Sequence, residues 1–143
     1  SLSDSPEAFC TTYEEAASYA NDVWIKRASV DPVGGSSVSV IAMDGADAVG
    51  MAVGMLCDDG ALDVVSVFVA PEHRGTRIAQ ELMATVETWG RGQGADRAVL
   101  EVEAGNQRAG AFYARLGYLP TGKRETYAGR FWLQRVELTK SLS

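Results

Sequence analysis

The hydrophobic period of this chain switches at Pro71, and no other feature limits its folding as strongly. Upstream, Leu62 to Val69 reads LDVVSVFV, a β-rich run. Downstream, Ile78, Ala79, Leu82, Met83, Val86 and Trp89 fall on one face of a helix that ends near Gly90 to Gly94. A strand therefore runs through a proline-marked turn and a glycine-containing loop into a helix. A helix N-terminus leaves about four backbone N–H groups unpaired and carries the positive end of the helix dipole, so this junction is a candidate phosphate site. An ordinary strand-to-helix connection is the competing reading, since a single glycine-containing loop is weak evidence.

Around this junction the other elements follow from pattern. Thr12 and Glu15 fit a capping box, and Tyr13, Ala16, Ala17, Ala20, Val23 and Trp24 recur at helical spacing, which predicts a first helix. Turn chemistry fills Val30 to Ser37. SVSVIAM then reads as a strand ending at Asp44-Gly45, and Ala48 to Cys57 as a second strand ending at Asp58-Asp59-Gly60. With Leu62–Val69 these make an antiparallel meander. AVLEVE, Ala98 to Glu103, alternates as a strand, and Asn106 to Leu116 carries helical spacing before Gly117. Two closing strands are expected around Tyr118–Tyr127 and Phe131–Leu138. The fold class is α+β, a mixed and mostly antiparallel central sheet with flanking helices and one β-α-β crossover, in a single domain over residues 1–143.

Composition narrows the function. Thirteen Lys and Arg against nineteen Asp and Glu give a net charge of −6, a poor match for nucleic acid but attractive to a cationic substrate. An anionic ligand would need a local pocket of backbone donors and arginines. The longest nearly uniform apolar run, Ala48 to Cys57, is ten residues, against the roughly 20 a membrane span requires. The opening SLSDSPEAF has neither the basic start nor the apolar stretch of a secretory signal, so the cytoplasm is the expected location. Cys10 and Cys57 lack any disulfide or metal-ligand spacing and are expected to be reduced thiols, and no metal site is expected.

The order strand-x-P-x-x-R-G-x-x-I-A, then a strand, then N-x-x-A-x-x-F-Y-x-x-x-G-Y, resembles the GNAT acetyltransferases from about Asp44 to Tyr118. The resemblance implies the acyl-CoA N-acyltransferase fold, with acetyl-CoA as acyl donor. It also implies that the backbone of Arg74, Gly75, Thr76, Arg77, Ile78 and Ala79 cradles the pyrophosphate, and that Val67, Phe68 and Val69 pair with the pantetheine arm. Arg77 stands where the family has glycine, so a side chain there either weakens the cradle or, pointing outward, adds a cation for a phosphate; the outward arrangement is expected. A bulge in the Val67–Val69 strand is expected to aim an N–H of about Phe68 or Val69 at the thioester oxygen.

Acetyl transfer to an amine needs a base for the ammonium and an acid for the departing thiolate. Tyr113 is the candidate acid. It points about 100° away from Phe112, which shares a stripe with Ala109 and Leu116, while Gly110 and Gly117 leave space beside it. The matching family tyrosine protonates the thiolate; packing is its alternative role. Counting eleven residues back from Arg74, the spacing of the histone-acetylating branch, reaches Asp63, one candidate base. Glu101 is the other, and Glu101 with Glu103 on one strand face is a candidate holder of the substrate ammonium, against the plain reading of a solvated polar face. Ordered water remains an alternative base. Asn106 is positioned to cap the second helix, and the resemblance adds a contact to the cofactor arm. His73 lies in a turn expected to be exposed, the sequence alone identifies no partner for it, and it is expected not to be catalytic; Trp24, Trp89 and Trp132 are expected to pack.

The resulting expectation is an N-acetyltransferase that passes the acetyl group directly to an amine in a ternary complex, with a small-molecule acceptor favoured. Protein N-terminal or lysine acetylation and a non-catalytic acyl-CoA-binding module are the alternatives. A flavodoxin-like phosphate binder is disfavoured because its loop belongs near the N-terminus. Either a monomer or a homodimer is expected, with no nucleic-acid or membrane partner.

Overall fold

The structure, a computed structural model, describes residues 13–19, 23–28, 37–73, 77–127 and 130–143. Its elements run β1 (Tyr13–Tyr19), β2 (Val23–Ala28), β3 (Ser37–Asp44), β4 (Asp47–Leu56), β5 (Ala61–Val69), a 3-10 turn (Pro71–His73), α1 (Ile78–Gly92), β6 (Arg97–Glu103), α2 (Gln107–Arg115), β7 (Leu119–Tyr127) and β8 (Arg130–Ser141). The eight strands form one sheet in the order β1-β2-β3-β4-β5-β6-β8-β7. Every pairing is antiparallel except β5 with β6, the pair joined by the α1 crossover.

The expected first helix is corrected. Tyr13–Tyr19 and Val23–Ala28 are strands paired with each other, and β2 pairs with β3 from Val23↔Asp44 to Ala28↔Ser39. In β2 the period is two: Ile25 is fully buried, while Trp24 and Lys26 share the other face with the Lys26 ammonium 4.4 Å from the Trp24 ring centroid. Helical spacing of small alanines is a weak preference, and a neighbouring strand with unpaired N–H and C=O groups overrides it. Of the expected capping pair, Thr12 lies outside the described residues and Glu15 is a β1 residue paired with Lys26.

Both helices pack on one face of the sheet. A Cβ built at Gly50 would lie 3.0 Å from Leu82 Cδ1, and one at Gly54 would lie 2.7 Å from Val86 Cγ1, so these strand positions face α1 at close range. Their neighbours Val38, Val40, Ala42, Leu62 and Val64 complete that face of the core with Met83. Beyond Asp63↔Val99 the parallel pairing of β5 with β6 stops. The two strands separate there, opening the sheet in front of α1 and α2.

Candidate active site

The gap between β5 and β6 continues into a cavity of about 810 Å³ walled by Val67 and Val69 of β5, Ala79 and Gln80 at the start of α1, and Asn106, Ala109, Phe112, Tyr113 and Leu116 of the α2 segment. The β5 main chain is aimed by its ladder. Ala70 donates its N–H to the Val49 carbonyl (2.8 Å), and in an antiparallel pair main-chain groups turn toward the partner at alternate residues. Phe68 and Ala70 therefore address β4, whereas Val67 and Val69 direct their N–H groups to the open side. The expected bulge exists but sits earlier: Val53 pairs with Ser66 and Gly54 with Val64, leaving Val65 as the extra residue. Of the expected pair of donors, Val69 has the right direction and Phe68 does not. Phe68 also turns its half-exposed ring to the opposite face.

At the other wall, α1 is fifteen residues long and brings its positive end to the cavity. The N–H groups of Ala79 and Gln80, in its first turn, have no preceding helical carbonyl to bond. Arg77 adopts an ordinary right-handed conformation (φ −80°), so the position needs no glycine. Its side chain turns outward and pairs with Glu81 (3.2 Å). Ile78 packs into the core. Arg74, Gly75 and Thr76 lie outside the described residues, as do Cys10 and the Trp132 side chain. Trp89 is buried and Cys57 is an exposed free thiol.

Asn106 caps α2, its Oδ1 accepting the Ala109 N–H at 3.0 Å. The Tyr113 ring meets Phe112 and Tyr118 edge-on, at 5.1 and 5.9 Å between centroids. Space beside it is open at Gly110, where an added Cβ would meet nothing within 4 Å. Burial raises the Tyr113 phenol above its ordinary value, which keeps it a proton donor.

The carboxylates are not gathered with Tyr113. Cross-strand pairing puts Asp63, Glu101, Glu103 and Glu137 on the sheet face away from the helices. Asp63 is the last residue of β5 paired with β6, at the apex of the split. Burial, with the nearby Glu137 charge, raises its carboxyl. Glu101 is exposed and 3.8 Å from the Arg135 guanidinium, and Glu103 pairs across the ladder with Arg135.

Sequence reasoning missed four polar residues of the cavity, His73, Gln80, Arg108 and Arg115, and read Ala109, Phe112 and Leu116 only as a helix stripe. His73 is half-buried, which corrects the expectation of an exposed turn residue, and its Nε2 lies 3.7 Å from Asp44 Oδ2. Arg108 and Arg115 are seven apart on α2, hence on one face, and that spacing was a readable signal. Together these side chains make a locally basic rim on an acidic protein. Among the described residues no group of three or more His, Cys, Asp or Glu is arranged to hold a metal, and no helix is long and apolar enough to cross a membrane.

A split parallel pair, a helix N-terminus at its mouth and a tyrosine on the facing helix meet in one cleft. The sequence matches the acetyltransferase (GNAT) family model over residues 4–118, and the chain belongs to that family of acetyl-CoA-dependent N-acetyltransferases. Nourseothricin acetyltransferase aligns over 100% of this chain and 96% of its own length, at 25% identity and a TM-score of 0.74. The ribosomal-protein-S18-alanine N-acetyltransferase of Escherichia coli aligns over 77% of this chain and 72% of its own at 17% identity and TM-score 0.66. PaiA N-acetyltransferase of Thermoplasma acidophilum, solved with coenzyme A, aligns over 74% and 61% at 16% identity and TM-score 0.62. The latter two share the fold. No curated protein sequence matches the chain.

Proposed function

We propose that this single domain transfers the acetyl group of acetyl-CoA directly to an amine of a small cationic molecule in a ternary complex. The observation that carries the reading is the one cavity that gathers Val67, Val69, Ala79, Asn106 and Tyr113. Val67 and Val69 offer strand-like N–H groups to the pantetheine arm, and the Val69 N–H is the candidate donor to the negative charge that develops on the thioester oxygen. The first turn of α1 faces the pyrophosphate, while Arg108 and Arg115 offer charge to the phosphates.

In this reading the acceptor nitrogen attacks the thioester carbonyl carbon, the carbon–sulfur bond breaks, and Tyr113 gives its proton to the departing thiolate. The amine approaches from the carboxylate face through the gap whose apex is Asp63. Asp63 takes the ammonium proton; its raised carboxyl is better matched to a base's task than an ordinary aspartate. Glu101 and Glu103 lie beside that approach and attract the cation. The full-length likeness to nourseothricin acetyltransferase supports a small acceptor of that kind. The cytoplasm is the proposed location, supported by the free thiol of Cys57.

Thermal unfolding with and without acetyl-CoA tests the donor site, because a ligand at 100 times its Kd adds about 2.7 kcal/mol to the folded state. A shift upward is expected. Thiol release with nourseothricin, spermidine and an alanine-headed peptide then tests the acceptor. Turnover with the peptide alone would favour protein acetylation, and a stability shift without any thiol release would favour a binding module. In the same donor assay Arg108→Ala/Arg115→Ala is expected to weaken coenzyme A binding about tenfold and to flatten its salt dependence, read by calorimetry at two ionic strengths.

A further inference from the structure

Among the described residues, one charged side chain is buried in the core, and the chemistry above does not use it. Glu87 on α1 is 4% exposed. Its Oε2 accepts the Tyr118 hydroxyl at 2.8 Å, and its Oε1 accepts the Lys140 ammonium at 2.8 Å, with the Arg91 guanidinium at 4.0 Å. A buried carboxylate is a poor source of stability, since well-packed apolar residues commonly do as well; what such a group supplies is a fixed geometry between the parts it joins.

Those parts are the two walls of the cleft. Tyr118 follows α2 through Gly117, whose φ of +100° turns the chain back toward the sheet. The ring of Tyr118 is almost fully buried and meets Tyr113 edge-on, and its N–H donates to the Tyr113 carbonyl at 3.0 Å. No residue of α2 itself is fully buried. The nearest fully buried anchor of that helix is thus Tyr118, bonded to a carboxylate of the opposite helix 31 residues away in sequence.

We propose that Glu87 and Tyr118 are positioning residues: their hydrogen bond ties the α2 wall, with Tyr113, to α1 and so sets the width of the donor cleft. The proposal rests on the reading of that cleft as the coenzyme A site. Lys140 aims the carboxylate through its 2.8 Å contact to Oε1, with its ammonium 5.7 Å from the Tyr118 ring centroid.

The test is coenzyme A affinity by calorimetry at a temperature where every variant is folded by circular dichroism. Tyr118→Phe removes a single hydroxyl and is expected to weaken binding about tenfold, as Glu87→Ala does, while Glu87→Gln, which keeps an acceptor for that hydroxyl, stays within about threefold of wild type. Glu87→Ala is expected to add nothing in the Tyr118→Phe background. Leu142→Ala, a buried change at the far end of α1, is the control: it lowers Tm and leaves affinity unchanged. Wild-type affinity in Tyr118→Phe with a lowered Tm would overturn the proposal, reducing the pair to a stability element. Should Glu87→Ala fail to fold, Tyr118→Phe alone decides. Failure of the wild-type protein to bind coenzyme A would instead remove the donor reading, and this inference with it.

Discussion

Replacing Tyr113 by phenylalanine is expected to lower kcat about a hundredfold and leave coenzyme A affinity within about twofold, the signature of a group that acts in the transition state. The ring stays, with its edge contacts to Phe112 and Tyr118, so the cavity wall keeps its shape and only the proton donor is lost. The measurement is thiol release with an active acceptor, beside calorimetry with coenzyme A. Equal loss in kcat/KM and affinity would assign Tyr113 to binding, and an unchanged kcat would leave the thiolate to be protonated by water. The pH dependence has a defined sign. Burial raises Tyr113, so the acid keeps its proton beyond the ordinary phenol range and the alkaline limb of activity attributable to it lies above about pH 10. Asp63 is raised as well, so the acidic limb lies above the ordinary carboxylate range. For stability, Tyr113 and Tyr118 both bind their protons more tightly folded than unfolded. Their contribution is complete below the ordinary phenol value and is lost as pH rises past it, which predicts alkaline unfolding measurable by circular dichroism.

From Ser37 to Ser141 the elements were legible because most carry a run of strand-forming residues or a helical stripe, with a turn signal at its end. The meander reads from Asp44-Gly45 and Asp58-Asp59-Gly60, and α1 from the stripe Ile78, Leu82, Met83, Val86, Trp89. The stretch from Tyr13 was not legible as strands, because Ala16, Ala17 and Ala20 satisfy helical spacing and alanine is the best helix former, a preference that pairing with β2 overrides. Its signal was the Asn21-Asp22 dipeptide between two runs, a turn pair out of place in a helix. In the site, motif residues such as Val67, Val69 and Tyr113 were readable. His73 and Gln80 were not: isolated polar residues carry no periodicity, and only the closing of the chain brings them to one cavity. Glu87 was hidden for the opposite reason. It is four residues past Met83, a position of the buried stripe, where a carboxylate reads as a solvated side chain until Tyr118 and Lys140 are seen beside it.

Truncating Leu62 to alanine is expected to cost about 3 kcal/mol, or about 10 °C in Tm, because the side chain is fully enclosed between β4 and α1. The neighbouring glycines make a sharper test. An added Cβ at Gly90 would lie 2.7 Å from Leu62 Cδ2 and 3.3 Å from its Cγ, so Leu62 must shift before the methyl fits. Helix propensity favours alanine there by about 1 kcal/mol, and forced repacking opposes it by about 1–3 kcal/mol, so Gly90→Ala alone is neutral to destabilising. In the Leu62→Ala background the closest obstructing atoms are gone, and of that side chain the Cβ, 3.4 Å away, remains. Gly90→Ala then fills part of the cavity and stabilises, so the sign of its effect improves between backgrounds by about 2 kcal/mol in a double-mutant cycle. Gly54→Ala is the comparison: its Cβ would lie 2.7 Å from Val86 Cγ1, which the Leu62 truncation leaves in place, and 3.0 Å from Leu62 Cδ1, which it removes, so the truncation relieves it only in part and it remains destabilising in both backgrounds. Denaturant unfolding of the six proteins reads all of these terms. Additive behaviour of Gly90→Ala with Leu62→Ala would mean that the helix moves away from the sheet instead of Leu62 yielding, and the close α1–β4 approach that frames the cleft would then be softer than these contacts imply.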